Sequence, residues 1–481
     1  MAHIRHRSIL GKGRHSMTSP FIPTRRELLA TGAAATALPA IVPGSALGRD
    51  GRPAPSERIS LGIIGAGSMG RANLENCASQ PDVVVTAVCD VWRDRREAVL
   101  ARHRATARGH TDYRELLARQ DVDAAIIATP PHWHALMAIH AAEAGKDIYL
   151  QKPMTLYPAE TLAVRNAIRK HGRVSQIGTQ IHAGDNYRRV VEWVRSGRLG
   201  PIPVVRTFNV MNQGPLGIGR APAESPPDGL DWNLWLGPGP KRPFNRLLAA
   251  DAYYHSSFWD YSGGWTPGMA PHILDLPVWA LDLGAPLSAT STGGRFVIQD
   301  DGDSPDTQEV LWRYPNLAVT WMLSLANSFG FDFGRGTPAR RLGIYFHGVN
   351  ATLFADYERH QVVPEGDRLD DLSPHNRSIP ASPGHEREWL DCIKSRRQPS
   401  CSVDYHWRVD IAITLANLSQ RLGRSVRFDP RTERILDDAK AAALARPVYR
   451  APWKFPAHYA AGSMDRKDLS AGDAEPDAQA R

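Results

Sequence analysis

Glycine residues near position 70 have the spacing of a nucleotide-binding turn. Gly65, Gly67 and Gly70 form a G-x-G-x-x-G motif directly after the apolar run Ile59–Ile64. The first glycine permits a tight turn, the second lets backbone amides approach a pyrophosphate, and the third lets a helix pack against the strand. The helix N-terminus then faces the anion. The residues expected to bind the phosphates are those of this turn, Gly65, Gly67, Ser68, Met69 and Gly70.

An acidic residue follows at the distance that such a turn requires. Asp90 ends the second apolar run, Val83–Cys89, and stands 20 residues after Gly70. Its carboxylate would accept hydrogen bonds from the adenosine ribose hydroxyls and would repel a 2′-phosphate, so the sequence favours NAD over NADP. Arg93 lies three residues further on and keeps NADP open.

A lysine stands where an open parallel sheet binds its ligands. Lys152 lies just past the end of the apolar run 147–150, and Pro153 restricts the chain after it. An ammonium group at this place can donate a hydrogen bond to a reacting hydroxyl and stabilise charge while a hydride leaves or arrives. We therefore expect Lys152 to be catalytic.

A histidine and an aspartate three residues apart are the second candidate for proton transfer. If the segment is helical, His272 and Asp275 lie on one side of it, and we expect that side to face the crevice. Imidazole is suited to take a hydroxyl proton near neutral pH, and Asp275 could orient it or bind a second hydroxyl. Pro271 and Pro277 predict that this helix is short or irregular.

Alternating apolar strands and helices predict the element order of an α/β chain. Strand runs at 59–64, 83–89, 123–128, 147–150 and 174–178 alternate with helical stretches, which predicts a doubly wound parallel sheet of the Rossmann type. The runs Val204–Val210 and Leu317–Leu323 predict a large, mostly antiparallel open sheet in a second α/β domain. Helices are expected near Glu386–Lys394 and Ile411–Leu422.

The first 46 residues hold most of the excess positive charge. They carry six basic residues and one acidic residue, while the chain has a net charge of +8, so a nucleic-acid surface on the remainder loses its main support. Arg25 and Arg26 precede a 15-residue apolar run, Leu28–Val42, and Gly44, Ser45 and Ala46 follow. This leader resembles a twin-arginine export signal, which implies a periplasmic protein without stable membrane insertion after processing. A retained anchor stays open.

These patterns divide the chain into five expected segments. They are a signal peptide (1–46), a linker (47–58), a dinucleotide-binding domain (59–178), a substrate and oligomerisation domain (179–455) and a disordered tail (456–481). The four cysteines lack the spacing of a disulfide framework, and we expect core residues, with Cys392 and Cys401 as the one candidate bridge.

An ordered set of motifs resembles the glucose-fructose oxidoreductase, inositol dehydrogenase and rhizopine catabolism (Gfo/Idh/MocA) family. The set comprises the glycine turn, Asp90, the stretch Ala128–His134, Gln151-Lys152-Pro153 and His272-x-x-Asp275. The resemblance implies that cofactor contacts also come from Thr129, Pro130, His132, His134, Gln151 and Lys152. For His132 and His134 no third ligand has suitable spacing, so no metal site is predicted.

Two positions depart from the family pattern. Gln151 stands where the family has glutamate, and Gly268 stands where much of it has an aspartate four residues before the histidine. One expected catalytic carboxylate is therefore missing, and His255, Asp260 or Tyr261 could replace it. Tryptophans in the same region could stack on a sugar ring or belong to the core, namely Trp232, Trp235, Trp259 and Trp265.

The resemblance implies a nicotinamide-dependent oxidoreductase that acts on a hydroxyl of a sugar or cyclitol, a small-molecule carbohydrate, as a homo-oligomer. Outside the cytoplasm little free NAD is present, so the cofactor would stay bound and be recycled within the protein. The same logic fits a redox-neutral NAD-dependent glycosidase, which oxidises, eliminates, hydrates and re-reduces. A non-catalytic sugar or nucleotide binder is the third hypothesis, favoured by Gly268.

Overall fold

A computed structural model describes residues 53–250, 252–329, 341–373 and 377–460. The predicted signal peptide and residues 461–481 of the predicted tail lie outside these ranges. Within them, no helix is both long enough and apolar enough to cross a membrane.

The first sheet has six parallel strands in the order β3-β2-β1-β4-β5-β6, the arrangement of a dinucleotide-binding domain. Its central strands are apolar runs with nearly every residue buried, since helices cover both faces. The strands are β1 (Ile59–Ile64), β2 (Val83–Cys89), β3 (Arg108–His110), β4 (Ala124–Ile127), β5 (Asp147–Leu150) and β6 (Ser175–Ile177). The predicted parallel Rossmann sheet is confirmed.

Five helices flank this sheet. They are α1 (Ser68–Ala78), α2 (Arg93–His103), α3 (Tyr113–Leu117), α4 (His134–Glu143) and α5 (Pro158–His171), with 3-10 turns at Pro131–Trp133 and Gln180–Ala183. Helix α1 begins at Ser68, so its first turn starts inside the glycine motif. Two separate apolar clusters fill the space on the two faces of the sheet.

The second sheet has ten strands and is mostly antiparallel, as predicted. Its order is β14-β13-β12-β7-β10-β9-β8-β15-β16, with β11 paired to β7, and only the pair β7–β10 is parallel. The strands are β7 (Val204–Asn212), β8 (Ser288–Gly294), β9 (Thr307–Arg313), β10 (Ala318–Ser324), β11 (Ala326–Asn327), β12 (Arg341–His347), β13 (Ala351–Ala355), β14 (His360–Pro364), β15 (Val426–Asp429) and β16 (Arg434–Ile435).

Helices pack on one face of this sheet and form the largest core. The helices that follow the first sheet in the described chain are α6 (Asp185–Arg195), α7 (Trp232–Leu236), α8 (Arg246–Ala250), α9 (Ala252–His255), α10 (Trp259–Ser262), α11 (Trp265–Met269), α12 (Pro271–Ala280), α13 (His385–Ser395), α14 (Val403–Leu422), α15 (Ala439–Leu444) and α16 (Ala457–Ala460). Chiefly α6, α12 and α14 supply the packing face. Helix α14 begins earlier than predicted because the hydroxyl of Ser402 caps it.

The chain end returns to the first sheet. Trp453 packs edge-on against Trp133, with ring centroids 4.8 Å apart, and Tyr459 is buried against α5. The tail predicted from residue 456 is therefore corrected: residues 457–460 form α16. All four cysteines are buried and free, and Cys392 and Cys401 belong to different apolar clusters, so the candidate bridge does not form.

Candidate active site

The glycine turn between β1 and α1 has no room for side chains at two positions. A Cβ atom at Gly65, where φ is +94°, would lie 2.6 Å from the carbonyl oxygen of Ala128. A Cβ at Gly70 would lie 1.9 Å from the carbonyl oxygen of Gly65, so α1 can approach β1 only with glycine there. Gly67 has space beside it and faces the cleft. The turn leaves the N-terminus of α1 open to an anionic ligand.

Asp90 lies at the carboxyl end of β2 and lines the cleft. Its Oδ2 accepts a hydrogen bond from the amide of Ala66 at 2.7 Å, and its Oδ1 accepts one from the amide of Trp92 at 2.8 Å. Burial raises the pKa of Asp90 above its ordinary value, against the effect of the two amide donors. The carboxylate is thus fixed against the glycine turn, where an adenosine ribose would meet it.

One cleft joins the glycine turn to the predicted catalytic lysine. It contains about 1260 Å³ of space, part of it open to solvent. Nine of the predicted site residues line it, Gly65, Gly67, Ser68, Met69, Asp90, Thr129, Pro130, Gln151 and Lys152. The glycine turn, the helix N-terminus and Asp90 fit the pyrophosphate and ribose of a dinucleotide, so the donor set suits NAD.

A segment of the second domain, residues 229–250, covers the outer side of this cleft, and we call it the cover segment. Its first residues pair with the loop after β2: the amide of Arg93 donates to Gly229 at 2.9 Å, and the amide of Asp231 donates to Val91 at 3.0 Å. Apolar side chains of the segment form a small core of their own with Phe258. The cover segment is therefore a packed element.

Arg95 ties the far end of the cover segment to α2. Its Nη2 donates to the carbonyl oxygens of Ala249 at 3.0 Å and Ala250 at 2.7 Å. The guanidinium lies 4.4 Å from the ring centroid of Trp92, a cation–π contact. All four residues line the cleft, so the side of the cleft that receives the adenosine is closed by charge-assisted hydrogen bonds.

The middle of the cover segment is held from the opposite side. The carbonyl oxygen of Trp235 accepts from Nε1 of Trp133 at 3.0 Å. Arg450 donates from Nε to the carbonyls of Gly237 (3.1 Å) and Gly239 (3.2 Å), and from its Nη atoms to Oδ1 (2.8 Å) and the carbonyl (3.0 Å) of Asn233. Arg450 does not line the cleft among the described residues.

Lys152 and His255 share the inner end of the cleft. The Nζ of Lys152 donates to the carbonyl oxygen of Gly268 at 3.0 Å. Burial, and the positive potential of neighbouring groups that include Lys152, lower the pKa of His255 to about 3. His255 is therefore neutral at pH 7 and can accept a proton. Of the three substitutes considered for the missing carboxylate, only His255 lines this cleft among the described residues.

Gly268, which stands at the position of the missing carboxylate, also lines this end of the cleft. A Cβ atom at Gly268 would lie 3.4 Å from Oγ of Ser256, an ordinary contact distance. Asp260 instead lies on the surface, 3.9 Å from Arg421, and the hydroxyl of Tyr261 donates to the carbonyl of Pro240 at 2.7 Å.

His132 and His134 lie behind the wall of the cleft, contrary to the expected cofactor contacts. The ring nitrogens of His134 lie 2.6 Å from the carbonyl oxygen of Pro153 and 2.7 Å from that of Thr129. Those of His132 lie 3.0 Å and 3.3 Å from the carbonyls of Trp235 and Tyr261. Burial lowers the pKa of each imidazole to about 4. These histidines join the loops that carry Thr129, Lys152 and the cover segment.

His272 and Asp275 do share α12, but they do not face the cleft. Asp275 is fully buried, where Oδ2 accepts from Nδ1 of His182 at 2.8 Å and Oδ1 accepts from the hydroxyl of Tyr405 at 2.7 Å. The ring of His272 lies 6.0 Å from that of Tyr357 and is absent from the cleft lining. The expectation that His272 and Asp275 act together on one side of the helix is therefore corrected. Asp275 does orient an imidazole, but it is that of His182.

The sequence patterns missed most of the cleft's outer wall. Trp92, Arg95, Ala249 and Ala250 line it, and of the four tryptophans considered for sugar stacking only Trp235 does so among the described residues. Trp232 stacks on Trp235 from behind, with centroids 4.6 Å apart. The clustering of aromatic residues from 232 to 265 was the one available signal.

Two family models match the chain along most of the described length. Residues 59–179 match an oxidoreductase family with an NAD-binding Rossmann fold, and residues 206–286 and 343–455 match the C-terminal alpha/beta domain of the same oxidoreductase family. The models cover the first sheet, the cover segment and the helices that carry the cleft, but not strands β8 to β11 of the second sheet.

Curated relatives resemble part of the chain. It is 31% identical over 144 residues to inositol 2-dehydrogenase of Salmonella typhimurium, which is 30% of this chain and 43% of that protein. It is 32% identical over 212 residues to a glycosyl hydrolase family 109 protein of Saccharopolyspora erythraea, 40% of this chain and 46% of that protein. The chain thus spans less than half the length of these curated relatives.

A solved structure shares the whole architecture. Levoglucosan dehydrogenase in complex with NADH and L-sorbose aligns with a TM-score of 0.56 at 18% identity, covering 77% of this chain and 99% of that one. This likeness shows the fold.

Proposed function

The chain belongs to the Gfo/Idh/MocA oxidoreductase family, with an NAD-binding Rossmann domain, and from that premise we propose that it oxidises or reduces a hydroxyl carbon of a sugar or cyclitol. The observation that carries the proposal is the single cleft that joins the glycine turn and Asp90 to Lys152 and His255. Similarity to an inositol dehydrogenase and to the fold of levoglucosan dehydrogenase supports the substrate class.

Two side chains supply the proton chemistry in this proposal. NAD, when bound, accepts a hydride from the carbinol carbon or returns it. Lys152 donates a hydrogen bond to the carbinol oxygen and stabilises the negative charge that develops there. The lowered pKa keeps the His255 ring uncharged at neutral and mildly acidic pH, the state that accepts the hydroxyl proton, and it also makes the ring a weaker base than an ordinary histidine.

We propose further that the cofactor stays bound between turnovers. The cover segment is fixed by backbone pairing to the loop after β2, by Arg95 and by Arg450, and it must open before a dinucleotide can leave. Retention suits a protein that works outside the cytoplasm, and we propose periplasmic export from the twin-arginine-type leader. A second carbonyl compound would then reoxidise the reduced cofactor.

The test is to analyse the protein as purified. Candidate sugars are first added to the folded protein while nicotinamide absorbance is followed. Mass spectrometry after denaturation then identifies the released nucleotide. Stoichiometric NAD that is reduced by a sugar and reoxidised by a second carbonyl compound supports the proposal. Nucleotide-free protein contradicts retention, and bound NAD that no sugar reduces favours a binder.

Similarity to a family 109 glycosyl hydrolase favours a redox-neutral glycosidase as the second candidate. Here a ring hydroxyl would be oxidised in the same cleft, the acidified adjacent carbon would lose its proton as the glycosidic substituent leaves, water would add to the unsaturated product, and the carbonyl would be reduced again. Hydrolysis of an aryl glycoside in deuterated water distinguishes the two. A glycosidase releases the aryl group and incorporates deuterium at the adjacent carbon without net NADH, whereas the oxidoreductase leaves the glycosidic bond intact.

We also propose a homo-oligomer. One face of the ten-stranded sheet packs on helices, and the other presents half-exposed apolar side chains such as Leu311 and Val363. Light scattering of the purified chain measures the assembly directly, and a monomer at micromolar concentration contradicts this part of the proposal.

A further inference from the structure

A buried cluster of metal-ligating side chains lies at the junction of the two sheets. His182 is in the 3-10 turn after β6, Asp275 is in α12, and Cys401 and His406 lie at the start of α14. None of the four side chains is more than 1% exposed. The mechanism proposed above uses none of them.

The potential ligand atoms are close together. A ring nitrogen of His182, a carboxylate oxygen of Asp275 and the Sγ of Cys401 all lie within 4.8 Å of one another. The Sγ of Cys401 is 4.0 Å from Nδ1 of His406. Ligand atoms around a tetrahedral zinc ion are about 3.3 to 3.8 Å apart, given bond lengths of roughly 2.0 to 2.3 Å. To reach that geometry, the 2.8 Å hydrogen bond between Nδ1 of His182 and Oδ2 of Asp275 must open and the longer separations must contract.

Unpartnered polar atoms provide an independent sign of a ligand. The Nε2 atoms of His182 and His406 and the hydroxyl of Thr179 are buried without a hydrogen-bond partner among the described residues. An unsatisfied buried polar atom is costly, and native interiors hold few of them. The Nδ1 atoms of the same two rings face Asp275 and Cys401, so an ion that binds at Nε2 would engage a nitrogen that the described residues leave without a partner.

The donor set identifies the class of ion. One thiolate, two imidazoles and one carboxylate are borderline-soft ligands that suit Zn²⁺, whereas Ca²⁺ and Mg²⁺ prefer oxygen donors. Tyr405 already binds Oδ1 of Asp275 and supplies the outer hydrogen bond that metal-ligating carboxylates commonly receive. Oδ2, which accepts from Nδ1 of His182, becomes available to the ion when the proton between them is released.

We propose that His182, Asp275, Cys401 and His406 form a structural site for a divalent ion of the zinc class. Binding releases the thiol proton of Cys401 and the proton between His182 and Asp275 to solvent, and no redox change is involved. The ion crosslinks the end of the first sheet to α12 and α14. The expectation of no metal site considered His132 and His134, whereas these four ligands come from three distant segments.

The experiment uses the full chain without a polyhistidine tag, produced with zinc in the medium. Elemental analysis is expected to find about one zinc per chain after dialysis. Replacement by Co²⁺ is expected to give a near-ultraviolet charge-transfer band from the thiolate. Cys401→Ser should lose this band, and Cys392→Ser, which changes another buried cysteine outside the cluster, should keep it.

Two further measurements keep the proposal open to refutation if Cys401→Ser does not fold. Tyr405→Phe removes only the outer hydrogen bond and should weaken metal affinity by about 10- to 100-fold. In the wild-type chain, a strong chelator should lower the melting temperature, and zinc should restore it. Metal-free wild-type protein that does not take up zinc or cobalt, or cobalt bound without the thiolate band, would overturn the site.

Discussion

Arg450→Ala should release the cofactor much faster than the wild-type chain does. The guanidinium donates four hydrogen bonds to the cover segment, at Asn233, Gly237 and Gly239, and it does not line the cleft in the described structure. The substitution therefore loosens the cover without removing a contact to NAD. Arg95→Ala is less informative, because Arg95 lines the cleft and its loss would change both the hold on the cover segment and the cleft wall.

The size of the effect follows from those bonds. The two Nε contacts share one donor, so we count three effective bonds at a net value of about 0.7 to 1 kcal/mol each for a partly exposed group, or roughly 2 to 3 kcal/mol. If the cover must open for NAD to leave, this is about a 30- to 140-fold faster release, since each 1.4 kcal/mol is roughly tenfold. Arg450→Lys keeps the charge but loses the planar guanidinium and its several donors, so its rate of NAD release should lie between those of the wild-type chain and Arg450→Ala.

The assay is a chase experiment. Protein loaded with labelled NAD is mixed with an excess of unlabelled NAD, and the label that stays bound is measured over time. Arg431→Ala is the matched control, because that side chain is 91% exposed and lies outside the cover segment. Release from Arg450→Ala at the wild-type rate would refute the idea that the cover segment limits exchange.

Other predictions concern the turn, the proton acceptor and pH. Gly70→Ala should abolish NAD binding in titrations because its Cβ would clash with the carbonyl oxygen of Gly65, whereas Gly284→Ala, which has open space around it, should leave binding intact. His255→Asn should lower turnover by roughly 10²- to 10⁴-fold with NAD binding retained. His272→Asn, whose ring is outside the cleft lining, should change turnover far less, and the reverse order would contradict the assignment. Because the pKa of His255 is lowered to about 3, kcat/KM for oxidation should not fall near the ordinary histidine value of about 6.5 as the pH is lowered. A fall there that His255→Asn abolishes would contradict the lowered pKa.

Local patterns were sufficient for the first sheet. Strands β1, β2 and β5 have the bounds read from the apolar runs 59–64, 83–89 and 147–150, because strands buried on both faces must be apolar throughout. The glycine turn was equally readable, since Gly65 and Gly70 meet steric demands within the motif and its neighbouring strands. Lys152 followed from its place at a strand end.

The reactive end of the cleft depended on contacts that no local pattern contains. His255 comes from a run of short helices without clear periodicity. It lines the same cleft as Lys152, which lies about a hundred residues earlier in the sequence. The sequence predicted the helix that carries Asp275 but not the direction of the Asp275 side chain. His182 and Tyr405, which are distant in the chain, bind that carboxylate and hold it in the core.

The returning chain end has a consequence for how this protein is made. Trp453 and Tyr459 complete an apolar cluster that begins with the first sheet, and Arg450 fixes the cover of the cleft. A ribosome that has made only the NAD-binding segment has therefore not yet made part of that segment's core. We expect the nucleotide to be captured after synthesis has passed residue 460, so that acquisition of the cofactor reports a finished chain.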